Sequence, residues 1–221
     1  MDDGITPDEF HASEGVADWR VLAEGAQATW RTTSFAESTA FVAALGSVEG
    51  AEGHRPDVDI RPEGVTVRLL TKSSDWYGPS RRDLEMARRI SAVAAARGLA
   101  ADPSAAQALL LVVGAPSGTN VLPFWRAALG YDPRPDSPDE DLVDPHGRDI
   151  SLWFEEMGEP RGDGGGAIHV GIFVPPGEGP ARVAAAIAAG GRLVRDRAPM
   201  WWTLADPAGN EADIATVEGR G

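Results

Sequence analysis

Three observations predict an α+β chain built as two domains. The first hundred residues read as helix, two strands, helix, two strands, helix. A break follows at Gly98-Leu99-Ala100-Ala101-Asp102-Pro103-Ser104, where Gly and Pro end the regular pattern. Beyond the break the chain repeats itself at an offset of 62 residues. The expected division is 1–100 and 106–221. An antiparallel four-stranded sheet with three helices on one face comes first, and paired βαβββ modules follow. A chain of 221 residues is long enough for two such cores.

The elements of the first domain follow in order. Thr6-Pro7-Asp8-Glu9, Ser34-Phe35-Ala36-Glu37 and Ser80-Arg81-Arg82-Asp83 each set Ser or Thr three residues before an acid, the spacing of a helix N-cap. Pro7 suits the first helical position. The second helix is expected to bury Phe35, Phe41, Val42, Leu45 and Val48. The third is expected to bury Leu84, Ala87, Ser91 and Ala94, and to stop at Arg97-Gly98. Trp19–Leu22 and Ala26–Trp30 read as a hairpin around Glu24-Gly25. Val58-Asp59-Ile60-Arg61 and Val65-Thr66-Val67-Arg68-Leu69 alternate as a second strand pair.

In the second domain, Asp144-Pro145-His146-Gly147 recurs as Asp206-Pro207-Ala208-Gly209. The same offset carries the strand starting at Gln107 onto the one starting at His169. It brings the helix end at Leu129-Gly130 within one residue of Gly190-Gly191. Each copy reads strand, helix, then strands. The run Gly162-Asp163-Gly164-Gly165-Gly166 lacks the Lys and Ser/Thr of a P-loop and reads as a connection between copies.

Composition excludes several function classes. The formal net charge is −14. Residues 1–100 hold 11 basic and 16 acidic side chains and the remainder 9 and 18, so neither half suits nucleic acid or an anionic membrane surface. With no cysteine there are no disulfides, thiol nucleophiles or thiolate metal sites. The acidic start, Met-Asp-Asp-Gly-Ile-Thr, does not read as a signal peptide and none is expected, and no apolar run approaches the ~20 residues of a membrane span. A cytoplasmic protein is expected. His11 reads as a solvated helix residue and His146 as part of a turn.

Gly53-His54-Arg55-Pro56-Asp57, followed by the strand pair, resembles the signature of the pterin-4a-carbinolamine dehydratases. That pattern is Gly-His-His-Pro-Asp, two strands and a third histidine. The resemblance runs from about Ile5 to Leu99 and takes in Asp18-Trp19, the Ser34 helix start and Asp83. The family's second histidine is Arg55 here, and its third falls at or near Ser74. The reaction protonates a leaving hydroxyl while a ring nitrogen gives up a proton, work that suits imidazole. A guanidinium cannot serve as the base. The resemblance therefore implies His54 and Asp83 as catalytic residues and Arg55, Asp57, Ser74 and Asp75 as substrate-binding residues. Asp57 or Asp75 is expected to orient His54, and Asp83 to cap its helix. The family also implies a homo-oligomer, at least a dimer.

Phe124-Trp125-Arg126-Ala127-Ala128-Leu129-Gly130-Tyr131 and Asp206-Pro207-Ala208-Gly209-Asn210-Glu211 resemble the vicinal-oxygen-chelate superfamily, the glyoxalase and bleomycin-resistance relatives. Metal-holding members use four side chains, two per module. The matching positions here are Gln107, Ser151, His169 and Asp213, which are expected to converge on one cleft beside Leu109 and Ile214. Gln and Ser are weak ligands, so only His169 and Asp213 are candidates for a metal, and a metal-free cleft is expected. No cofactor is called for.

Two readings stand. One is a hydro-lyase that dehydrates 4a-hydroxytetrahydropterin, fused to a glyoxalase-like ligand-binding domain. The other is a non-catalytic protein holding a pterin or other planar small molecule. Metal-dependent lyase or dioxygenase chemistry in the second domain is a third.

Overall fold

The computed structural model describes residues 3–23, 25–116, 120–157, 168–205 and 211–219, with the backbone alone at Pro116, Phe124, Ala127, Ala128, Met157, Ile168 and His169. The Glu24 turn residue, the glycine run at 162–166 and the Asp206–Gly209 turn lie outside the described residues. The chain divides into two compact units, 107–216 and the rest, so the last five residues group with the first unit.

The first unit holds helices α1 (Pro7–His11), α2 (Phe35–Leu45) and α3 (Arg81–Ala96) and strands β1 (Arg20–Leu22), β2 (Gly25–Arg31), β3 (Asp57–Arg61) and β4 (Gly64–Leu69). The strands form one antiparallel sheet in the order β1-β2-β4-β3. Alternation decides its faces: Ala26, Ala28 and Trp30 on β2 and Val65, Val67 and Leu69 on β4 are buried, while Thr29 and Thr66 lie on the other side and meet through their hydroxyls at 2.9 Å. Phe10 from α1, Phe41 and Leu45 from α2, and Leu84, Ala87 and Ile90 from α3 join that same buried cluster. All three helices therefore cover one face. Trp19, Trp30 and Phe41 stack edge to face through its centre, with centroids 5.6 and 5.4 Å apart.

The cap signals are realised. Thr6 and Ser80 form reciprocal capping boxes with Glu9 and Asp83, and the Ser34 hydroxyl accepts from the Glu37 amide. One stripe residue departs from expectation: Phe35 is 73% exposed, because as the first residue of α2 it projects before the helix meets the sheet. A short hairpin, β5 (Thr71–Ser73) and β6 (Trp76–Gly78), turns at Ser74-Asp75 between β4 and α3.

His11 is not a solvated residue. Its Nε2 accepts the Val21 amide at 3.0 Å, so the imidazole closes the edge of β1. Burial, helped by the nearby Arg20 charge, lowers its pKa below the ordinary 6.5. The unfolded chain thus binds this proton more readily than the folded one. The contribution of His11 to stability is complete above about pH 6.5 and is lost as pH falls through the lower folded value. Urea midpoints at pH 7.5 and 5.5 should converge less in wild type than in His11→Gln, whose pH dependence should be the shallower. Equal slopes would remove His11 from the account.

The second unit contains β7 (Ala108–Pro116), α4 (Leu122–Leu129), β8 (Asp132–Pro133), β9 (Asp141–Val143) and β10 (Ser151–Met157). The second set is β11 (Ile168–Phe173), α5 (Gly179–Ala188), β12 (Arg192–Arg197), β13 (Trp201–Ala205) and β14 (Glu211–Ala215). These are two βαβββ modules. They share one eight-stranded sheet, β12-β13-β14-β11-β7-β10-β9-β8, joined at the antiparallel pair β7–β11. Within each module the first strand lies parallel to the last. Helix α4 packs Leu122 and Trp125 on Val113, Leu142 and Leu152, and α5 packs Val183 on Trp202, Leu204 and Ile214, so both helices cover the same face. Gly130 ends α4 in the left-handed region at φ 69°, a conformation that glycine adopts without strain. In the Asp144-Pro145-His146-Gly147 turn the Asp144 carboxylate accepts the amides of His146, Arg148 and Asp149. Those donors lower its pKa to about 2.

Candidate functional site

One contact in the first unit joins titratable side chains from elements far apart in sequence. The turn before β3 is tight: the His54 amide donates to the Gly50 carbonyl at 3.0 Å, and Gly50 takes φ 88°. This delivers the imidazole to the start of α3, where His54 Nε2 lies 2.5 Å from Asp83 Oδ1. The Asp83 side chain is fully buried and that of His54 is 16% exposed. The other carboxylate oxygen, Oδ2, accepts from the Ser80 amide at 2.8 Å, the Ser80 hydroxyl at 2.8 Å and the Thr71 hydroxyl at 2.7 Å. Asp83 is therefore both helix cap and histidine partner, held by donors on its far side. Because the carboxylate accepts, Nε2 carries a proton, and in the neutral ring the lone pair is on Nδ1. A cavity of about 480 Å³ borders His54, lined also by Gly50, Gly53, Met86, Asp3 and charged side chains of α3.

The other expected residues go elsewhere. The carboxylate that orients His54 is Asp83, not Asp57 or Asp75. Asp57 faces Arg68 across the β3–β4 pair and takes its Nη2 at 2.6 Å. Asp75 accepts from Ser73 at 3.0 Å and from Ser74 at 3.5 Å within the β5–β6 turn. Arg55 points into solvent and pairs with Glu52 at 2.9 Å, both side chains being more than three-quarters exposed. Neither Arg55 nor Ser74 lines the cavity beside His54. Each finds its partner within three residues, and such local pairs form wherever the backbone turns, independent of the site.

In the second unit the register corrects the expected quartet. Ser151 pairs with Leu110, Leu110 with Gly171, Gly171 with Asp213, and Asp213 with Thr203. Ser151 and Asp213 thus share one row on one face, three strand spacings or roughly 14 Å apart along the sheet. His169 lies two residues before Gly171, opposite Val112. Gln107 does not join them. Its Oε1 accepts from Arg182 of α5 at 3.0 Å, on the side that the helices cover. Ile214 also lies on that side, under α5. The reason is a one-residue shift between repeats: Ser151 and Asp213 differ by 62, but their neighbours Leu110 and Gly171 differ by 61. The register counterpart of His169 is Ala108, which carries no donor atom. Of the four, His169 and Asp213 are the residue types that suit a metal. Among the described residues no group of three or more His, Cys, Asp or Glu side chains is arranged to hold an ion.

Two family models match separate parts of the chain. The family model for pterin 4 alpha carbinolamine dehydratase matches residues 4–93, and that of a glyoxalase-like domain matches residues 110–215. A protein of Gloeobacter violaceus named "Putative pterin-4-alpha-carbinolamine dehydratase 2" is 35% identical over 88 residues, covering 38% of this chain and 94% of its own. The chain belongs to the pterin-4-alpha-carbinolamine dehydratase family. Family members similarly named in Paracidovorax citrulli and Nocardia farcinica are 34% and 32% identical, and the chain covers 69% and 85% of them. A crystal structure of a glyoxalase/bleomycin resistance protein/dioxygenase superfamily member from Vibrio splendidus aligns over 50% of this chain and 99% of its own, at 14% identity and a TM-score of 0.34.

The chain is thus a dehydratase-like domain followed by a glyoxalase-like domain. In this dehydratase family member the imidazole at position 54 has a buried carboxylate partner, and Arg55 turns to solvent. Thr71 and the arginines around the cavity were not singled out from sequence. Thr71 sits on a strand too short to show alternation. The arginines become a set only when α3 is known to turn Arg82, Met86 and Arg89, at helical spacings of four and three, toward His54.

Proposed function

We propose that the first unit dehydrates a 4a-hydroxytetrahydropterin by acid–base catalysis at His54, with Asp83 as its positioning residue. The observation that supports this reading is the 2.5 Å contact between His54 and a fully buried Asp83 beside a cavity of about 480 Å³. Elimination needs one proton removed from a ring nitrogen and one delivered to the departing hydroxyl. A single imidazole can do both in turn: Nδ1 takes the first proton, the resulting imidazolium is stabilised by Asp83, and the same Nδ1 returns a proton to the hydroxyl as water leaves. The ring is left neutral at the end, so no second histidine is needed for balance. The test is direct: the full chain is mixed with a 4a-hydroxytetrahydropterin and the loss of carbinolamine absorbance is followed. A rate above the spontaneous one, proportional to protein, supports the reading, and the spontaneous rate at every protein concentration contradicts it.

For the second unit we propose a ligand-binding role without a resident metal, because Ala108 and Gln107 contribute nothing to the row that holds Ser151 and Asp213. Elemental analysis of protein purified without chelator is expected to give less than a tenth of an equivalent of zinc or manganese, by order-of-magnitude judgement. One equivalent, lost in His169→Ala, would restore metal-dependent lyase or dioxygenase chemistry.

A further inference from the structure

We infer that the cavity beside His54 selects a pterin whose side chain carries an anionic group, a phosphate ester or a carboxylate, over one with a neutral side chain. The inference rests on the pterin reading of this site and adds the class of substrate. Three arginines line the cavity, Arg81, Arg82 and Arg89, together with His54 and two acids, Asp3 and Glu85. Both acids are already engaged. Asp3 lies 3.4 Å from Arg82, and Glu85 pairs with Arg88.

The remaining positive charge is not cancelled. Arg89 donates through Nη1 to the Glu49 carbonyl at 2.6 Å, a neutral acceptor that fixes the guanidinium at the cavity wall. The Glu49 carboxylate is 4.0 Å off and 90% exposed, where water screens it. Arg81 helps to lower the pKa of Glu9, but that carboxylate is committed to capping α1 through the Thr6 amide at 2.8 Å. Local charge is therefore positive in a chain whose net charge is −14.

The placement matters as much as the sign. Arg82, Met86 and Arg89 project from one stripe of α3, and Asp83 on the same helix holds His54. A ligand with its ring at His54 and Met86 has its substituent within the reach of guanidinium forks, which match phosphate and carboxylate oxygens in pairs. A pterin ring offers no charge of that kind, so the charge of Arg81 and Arg89, which no close carboxylate neutralises, is met when the side chain supplies an anion.

The test is a fluorescence titration of the full chain with neopterin and with neopterin 3′-monophosphate, at about 50 mM and about 300 mM salt. The phosphate is expected to bind at least about tenfold more tightly at low salt, and the ratio should shrink at high salt. In Arg81→Gln/Arg89→Gln the ratio should fall toward one. In Arg61→Gln, which removes the same kind of charge from β3 far along the chain, it should stay as in wild type. Equal affinity for both probes in wild type would overturn the inference and leave the pterin reading standing. Binding of neither would overturn both. A ratio that survives in the double variant would show that these arginines do not carry it.

Discussion

His54→Ala should lower dehydration by about 10²–10⁴-fold, the range for loss of a general acid–base group. The loss should appear in kcat, because imidazole acts on protons in flight rather than on the bound ring. The fold should persist, since the His54 side chain sits at the cavity and outside the main buried cluster of the unit. A native circular dichroism spectrum and a cooperative urea transition would establish that persistence, the midpoint falling because buried Asp83 loses one donor. Unchanged turnover in the folded variant would show that the catalyst lies elsewhere, whatever the geometry of the dyad.

Asp83→Ala should be the most damaging single substitution in the first unit, costing about 3–5 kcal/mol of stability. Four donors lose their acceptor at once: the Ser80 amide, the Ser80 and Thr71 hydroxyls and His54 Nε2–H. The helix cap is lost with them, although the Ser80 hydroxyl still reaches the amide of residue 83 at 3.2 Å. Asp83→Asn separates structure from chemistry. Its carboxamide oxygen can still accept from Ser80, so the stability loss should be much smaller. Its NH₂ would then face His54, which can meet it only by accepting at Nε2 and carrying the proton on Nδ1. That is the wrong tautomer for a base at Nδ1, and turnover should fall by orders of magnitude in a folded protein. A folded Asp83→Asn with wild-type turnover would reduce Asp83 to a cap.

The sheet of the first unit was legible because Ala26, Ala28 and Trp30 alternate with polar residues, as do Val65, Val67 and Leu69. Alternation of that kind allows one buried face. The cap role of Asp83 was legible from its distance to Ser80. Its bond to His54 was not. Those residues are 29 apart, and four strands intervene. Nearby carboxylates such as Asp57 and Asp75 look equally available in one dimension, yet each is claimed by a neighbour on its own hairpin. In the second unit the duplication was legible from the Asp-Pro-x-Gly turns and the helix ends. The face of Gln107 was not, because a repeat offset that slips by one residue between strands inverts every side chain on the slipped one. His11 was misread for a related reason: its acceptor role depends on β1 passing alongside α1, which spacing on the helix cannot show.

The central claim is that His54 and Asp83 act as one unit in dehydration. A double-mutant cycle in kcat/KM, with His54→Ala, Asp83→Asn and the double variant, tests it most directly. If Asp83 works only through the imidazole, removing it from a protein already lacking His54 should change nothing further. The double variant should then match His54→Ala within about twofold, by the usual scatter of such cycles. Losses that multiply, with the double variant falling by the product of the two single effects, would show that the residues act independently and would contradict the account.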